Sequence, residues 1–132
     1  MKIAIPSKGQ GADAPVDERF GRCAYFALTE DDGANWTIRE NPCLKAPGGA
    51  GVQAAQFLTQ EGVDVLLVDN LGPKAAQVIQ AAGIEVHSGI QGTVQQALRD
   101  YQAQELKPMQ EAVTPTGPGR QDRGRTRGGR ER

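Results

Sequence analysis

Two thiols and three glycine-rich segments are where this sequence could do chemistry. Cys23 follows Arg22 at the head of an apolar run, and Cys43 lies within Asn41–Gly49. Two thiolates can ligate one iron or the edge of an iron–sulfur cluster, because soft sulfur ligands suit that chemistry. They can also oxidise to a disulfide. The competing reading makes Cys23 a small buried residue and Cys43 a chance loop thiol. The glycine-rich segments are Gly48-Gly49-Ala50-Gly51, Gly72-Pro73-Lys74 and Gly92-Thr93. Each opens a helical pattern. Helix N-termini present free N–H groups and the positive end of the helix dipole, and glycine lets a ligand approach the backbone. Gly49, Gly51, Gly72, Gly92 and Thr93 are therefore candidate contacts for an anion, with Arg22, Lys74 and Lys8 as nearby cations. Glycine and proline also cap helices and make turns, which is the structural alternative at each loop.

Other chemistries find no support. There is no HExxH, CxxC, P-loop or GxSxG pattern, and no nucleophile–base couple or acid–base pair stands out. No enzymatic activity is expected. Asp13, Asp17 and Glu18 read as loop acids facing water. Few aromatics are present, which argues against a stacking platform for single-stranded nucleic acid. Two cysteines in 132 residues are no disulfide framework. No apolar run approaches the ~20 residues of a membrane span, and Met1–Pro6 is too short for a signal-peptide core, so a cytoplasmic protein is expected.

The elements that must position these residues alternate along the chain. Lys2–Pro6, Ala24–Thr29 and Trp36–Glu40 read as strands, the last two forming a hairpin about Asp31-Asp32-Gly33. Ala50–Glu61 reads as a helix ended by Gly62. Val63–Val68 is a nearly continuous apolar run, as in a strand covered on both faces. Pro73–Ala82 is a helix with proline at its first turn and Gly83 past its end. Ile84–His87 is a short strand, and Thr93–Gln102 is a helix opened by a capping-box pattern, Thr93-Val94-Gln95-Gln96. This β-β-β-α-β-α-β-α order implies a mixed sheet with helices on both faces. Right-handed crossovers give five strands in the order 3-2-1-4-5, with only strand 2 antiparallel. The three glycine-rich helix entries then share one edge of the sheet, where open α/β sheets bind ligands. The hairpin puts Cys23 opposite Pro42, one step from Cys43. His87, three strands away at ~4.8 Å per strand, is too far to share one metal with Cys23 and is expected as a half-exposed structural residue on an edge strand.

Charge divides the chain. Residues 114–132 carry six arginines against Asp122 and Glu131, net +4, while the first 113 residues hold nine bases against 14 acids, net −5. Residues 1–107 are expected to form one α/β domain, and 108–132, rich in Pro, Gly and Arg, a disordered basic tail.

Several segments carry a family pattern in consistent order: Met1-Lys2-Ile3-Ala4-Ile5-Pro6, Arg19-Phe20-Gly21-Arg22-Cys23-Ala24-Tyr25-Phe26, Glu40-Asn41-Pro42, Gly48-Gly49-Ala50-Gly51, Leu71-Gly72-Pro73-Lys74-Ala75, Ala82-Gly83-Ile84 and Gly92-Thr93-Val94. Over about residues 1–107 the chain resembles the dinitrogenase iron–molybdenum cofactor biosynthesis family, which includes NifX and the C-terminal domain of NifB. The resemblance implies a ribonuclease-H-like, three-layer α/β/α fold. It also implies non-enzymatic binding of anionic iron–sulfur or iron–molybdenum cofactor precursors. Some members have His where this chain has Arg19, many have Tyr where it has His87, and several share a Cys at position 23.

The leading expectation is a metallocluster carrier serving cofactor-biosynthesis or apo-target proteins. Cys23, with Cys43, would be the metal ligand. The anion would contact Arg22, Gly49, Gly51, Gly72, Lys74, Gly92 and Thr93. The alternatives are a regulatory module for another small anion or a nucleotide, and RNA contact through the Arg-Gly tail. Nuclease activity is not expected, because the first strand carries no acid.

Overall fold

A computed structural model describes residues 1–30, 33–45 and 48–108. The Asp31-Asp32 part of the hairpin turn and the tail from residue 109 lie outside the described residues.

Among the described residues ten elements follow in order. They are β1 (Ile3–Ser7), a 3-10 turn (Phe20–Arg22), β2 (Tyr25–Thr29), β3 (Thr37–Glu40), α1 (Ala50–Gln60), β4 (Val65–Val68), α2 (Pro73–Ala81), β5 (Glu85–Ser88), α3 (Val94–Gln102) and β6 (Lys107–Pro108). The sheet order is β3-β2-β1-β4-β5-β6. Its first five strands are those expected from the sequence, in the expected order. β2 runs antiparallel to both β1 and β3, and β4 pairs parallel with β1 and β5.

The sixth strand is a correction. Pro108, assigned from sequence to the tail, pairs antiparallel with His87, and Lys107 pairs with Ser88. Two residues give no period to read; Leu106, just before them, packs into the core beneath the sheet and is 8% exposed. β5 is therefore an inner strand rather than the edge. His87 is half-buried there, bonded to Glu85 and set edge-on to Tyr101 at 4.8 Å between ring centres.

Two cores flank the sheet. On one face α1 and α2 pack Ala54, Ala55, Leu58, Ala75, Ala76 and Ile79 against Ala4, Phe26, Leu28, Leu66 and Val68. On the other, Val94, Ala97 and Leu98 of α3 cover Ile3, Ile5, Ala27, Val65 and Leu67. β1 and β4 alternate between the two sets, as the two-residue period of a strand requires. In α1 the buried residues are Ala50, Ala54, Ala55 and Leu58, one face of a 3.6-residue helix. Small side chains on this face let the helices approach closely: a Cβ placed on Gly51 would lie 3.4 Å from that of Ala75. No helix of the described residues is long and apolar enough to cross a membrane.

Candidate functional site

The α1–α2 face ends in a cleft of about 690 Å³, formed by the Glu18–Arg22 segment, residues 49–52 at the start of α1, and residues 70–75 leading into α2. Its construction follows from the glycines. Gly49 precedes α1 in the left-handed conformation (φ 69°), which L side chains adopt only under strain. Gly21 puts the 3-10 turn directly on α1's first turn. Between them these positions hold Arg22 beside the start of α1.

Neither α1 nor α2 has a side-chain cap. The first intrahelical bonds are those from Gln53 N to Gly49 O and Ala76 N to Gly72 O. The N–H groups of Ala50, Gly51 and Val52, and of Lys74 and Ala75, therefore have no intrahelical acceptor. Two helix N-termini thus meet at one cleft, and their dipoles add.

Gly72 is informative because the fold does not demand it. Its backbone (φ −65°, ψ 157°) suits any residue, and a Cβ there meets nothing within 4 Å. This is an N-cap position, where Ser, Thr, Asp and Asn are preferred for stability. Glycine instead leaves the donors of α2 open and the cleft unobstructed.

Of the residues expected from sequence, Arg22, Gly49, Gly51, Gly72 and Lys74 all line this cleft. Lys74 is exposed, and Arg22 donates from its guanidinium to Leu44 O at 3.0 Å. Lys8 pairs with Glu18 at 3.5 Å.

Gly92 and Thr93 lie elsewhere. α3 packs on the opposite face of the sheet, and neither residue is among those lining the cleft. Its donors are also occupied: Val94 N bonds Ala14 O, Gln95 N bonds Ala12 O, and Gln96 N bonds the Thr93 hydroxyl. Gly92 has φ 78°, a turn conformation that explains the glycine. The expectation of three helix ends on one rim is thereby corrected to two, because the first N–H groups of α3 are spent on Ala12, Ala14 and Thr93 and neither Gly92 nor Thr93 lines the cleft.

The thiols also fall outside the cleft lining. The β2–β3 ladder ends at the Tyr25–Glu40 pair, with Asn41 N donating to Ala24 O at 3.1 Å just beyond it, so the expected pairing of Cys23 with Pro42 lies past the ladder, where Pro42 is already in a turn. Both thiols are free and buried, with Cys23 wholly inaccessible. Burial, with the nearby Asp17 carboxylate adding to it, pushes the Cys23 thiol up to about 12. Burial also raises Cys43. Asn41 ties the two segments together: its amide donates to Gly21 O at 3.1 Å and Cys23 O at 2.9 Å, and its oxygen accepts from Cys43 N at 2.9 Å. The expected rim position of Cys23 and Cys43 is corrected to a position inside the protein, one residue behind Arg22 in the case of Cys23. Among the described residues no three His, Cys, Asp or Glu side chains gather to hold a metal ion.

Sequence reasoning missed four contributors. Arg19 and Asn70 line the cleft, Gly21 is its hinge against α1, and Asp17, expected in water, is 1% exposed. Asp17 had no readable signal, since burial of a loop acid follows from tertiary contacts. Asn41 was readable as an Asn-Pro turn former at a strand end.

Residues 1–104 match the family model described as dinitrogenase iron-molybdenum cofactor. Among solved structures, the apo form of the orange protein from Desulfovibrio gigas superposes with a TM-score of 0.75 at 36% identity, covering 83% of this chain and 96% of that one. A NifB candidate from Thermotoga gives 0.71 at 32%, covering 89% and 98%. An uncharacterized protein of Methanocaldococcus jannaschii is 29% identical over 102 residues, 75% of this chain and 83% of that protein.

Proposed function

This chain belongs to the dinitrogenase iron–molybdenum cofactor family, and from that premise we propose that it is a non-enzymatic carrier of an anionic iron–sulfur or iron–molybdenum cofactor precursor. The cargo sits in the cleft between α1, α2 and the 3-10 turn, and passes to cofactor-biosynthesis or apo-target proteins. One observation carries this reading: two uncapped helix N-termini open onto the same cleft, between Arg22 and Lys74.

The chemistry is electrostatic. The first 113 residues have a net charge of −5, so the overall field repels an anionic cluster. Local donors must overcome it. Backbone N–H groups at positions 50–52, 74 and 75 are fixed before the cargo arrives, so binding costs little reorganisation. Phe20, Val52, Pro73 and Ala75 give the cleft apolar walls, which lower the local dielectric and strengthen those contacts. The cargo is held as a whole anion, and release requires no ligand bond to break. Cys23 would ligate metal only after a wholly inaccessible thiol was exposed and deprotonated. In this reading it supports the wall that carries Arg22.

The test is anaerobic addition of iron and sulfide, or of isolated iron–molybdenum cofactor, followed by desalting and metal analysis. A chromophore that stays with the protein and is lost when the cleft is blocked at Gly72 is the expected result. Absence of metal, with binding of phosphate-bearing probes instead, would turn the assignment to a regulatory small-anion or nucleotide module.

A further inference from the structure

Arg19 lines the cleft and is held from beneath by a buried carboxylate. Asp17, with its side chain 0% exposed, accepts from Arg19 N at 2.9 Å, Nε at 3.2 Å and a terminal guanidinium nitrogen at 3.2 Å. The Arg19 side chain is itself 63% exposed and lines the cleft. A buried carboxylate is costly unless fully bonded, so the pair is held together. Asp17 is anchored in turn, its N–H donating to Pro6 O at 3.0 Å.

A guanidinium has five N–H donors in one plane. Asp17 takes Nε–H and one terminal N–H, which fixes the plane and leaves three. We propose that Asp17 is a positioning residue that holds Arg19 as a directional donor to the cargo. The cleft thereby favours a polyanion presenting two adjacent sulfur or oxygen acceptors, such as the edge of a metal–sulfur unit. This rests on the carrier reading and specifies which cargo edge the cleft takes. Lysine at position 19 would keep the charge and lose the planar fork.

Simple Coulomb attraction predicts the opposite sign for one variant. Removing the Asp17 charge beside the cleft should tighten binding of any anion if charge alone matters. If position matters, it should weaken binding, because the guanidinium loses its anchor.

The probe is tetrathiomolybdate, a dianion with sulfur edges, titrated into the full chain by absorption. Asp17→Asn is expected to weaken binding several-fold, and Arg19→Lys by about tenfold. Because Asp17 is buried, its variant could lose the fold; circular dichroism and a melting curve report that. The exposed Arg19→Lys then decides the question by itself. Unchanged or tighter affinity in a folded Asp17→Asn, or wild-type affinity in Arg19→Lys, would overturn the positioning role while leaving the carrier reading in place. Failure of the wild-type protein to bind either tetrathiomolybdate or cluster would overturn both.

Discussion

Gly21 rests on the backbone of Gly51: a Cβ built at position 21 would come within 2.5 Å of Gly51 N and 2.7 Å of its Cα. No flexible side chain can yield there, because the obstacle is the first turn of α1. The glycine of Phe20-Gly21-Arg22 is therefore the joint that places Arg22 against a helix N-terminus.

Gly21→Ala should force the turn and α1 apart. Overpacking of this kind typically costs about 1–3 kcal/mol, and the cleft should lose cargo affinity along with stability. Chemical denaturation of the two proteins checks the first effect, and tetrathiomolybdate titration the second. A fully stable Gly21→Ala protein would contradict the close approach.

Position 72 separates stability from function. Gly72→Asp gives α2 a carboxylate cap on a backbone already suited to it, so stability should hold or rise slightly, by a few tenths of a kcal/mol. The same carboxylate occupies the N–H groups meant for the anion, and binding should fall more than about tenfold. A Gly72→Asp variant that melts normally but still binds would place the cargo elsewhere.

Lys74 contributes charge at an exposed site. Lys74→Gln should weaken anion binding by roughly three- to tenfold at low salt, with the difference shrinking as salt screens it. Stability should not change measurably. The comparison is a pair of salt titrations, wild type against variant. Parallel salt slopes would remove Lys74 from the site.

Stability should depend on alkaline pH through the thiols. Cys23 is pushed from its ordinary 9.0 to about 12, so between those values the unfolded chain gives up a proton that the folded chain keeps. The unfolded state then binds fewer protons, and stability falls as pH rises from about 9 towards 12. Cys43, raised in the same direction by burial, adds to the slope. Denaturation midpoints across that range, with Cys23→Ala beside the wild type, measure it. If the slope were the same in both proteins, Cys23 would not be its source.

Much of this was readable from local sequence. The five principal strands, their order and the three helices came from periodicity, from Pro73 at a first turn and from Gly62 and Gly83 at helix ends. These signals act within a few residues, where backbone sterics and hydrophobic period settle the outcome. The convergence of Arg22, Gly49, Gly51, Gly72 and Lys74 on one cleft followed from topology, because parallel strands carry the loops after them to one edge of the sheet.

What the tertiary structure alone decided concerns sides and burial. The same glycine chemistry opens α1, α2 and α3, yet α3 crosses to the other face and spends its N–H groups on Ala12 and Ala14. Crossover direction and the packing of Ile3, Ile5 and Leu67 against α3 govern that choice, and no window around Gly92 contains it. Asp17 and Glu18 are adjacent acids of one loop, but Asp17 is buried under Arg19 while Glu18 meets Lys8 at the surface. Cys23 looked like a rim thiol and lies in the core. Local sequence specifies which backbone a segment prefers. Whether a side chain ends in water or under a neighbour is set by contacts between segments distant in the chain, and those exist only once the sheet has closed.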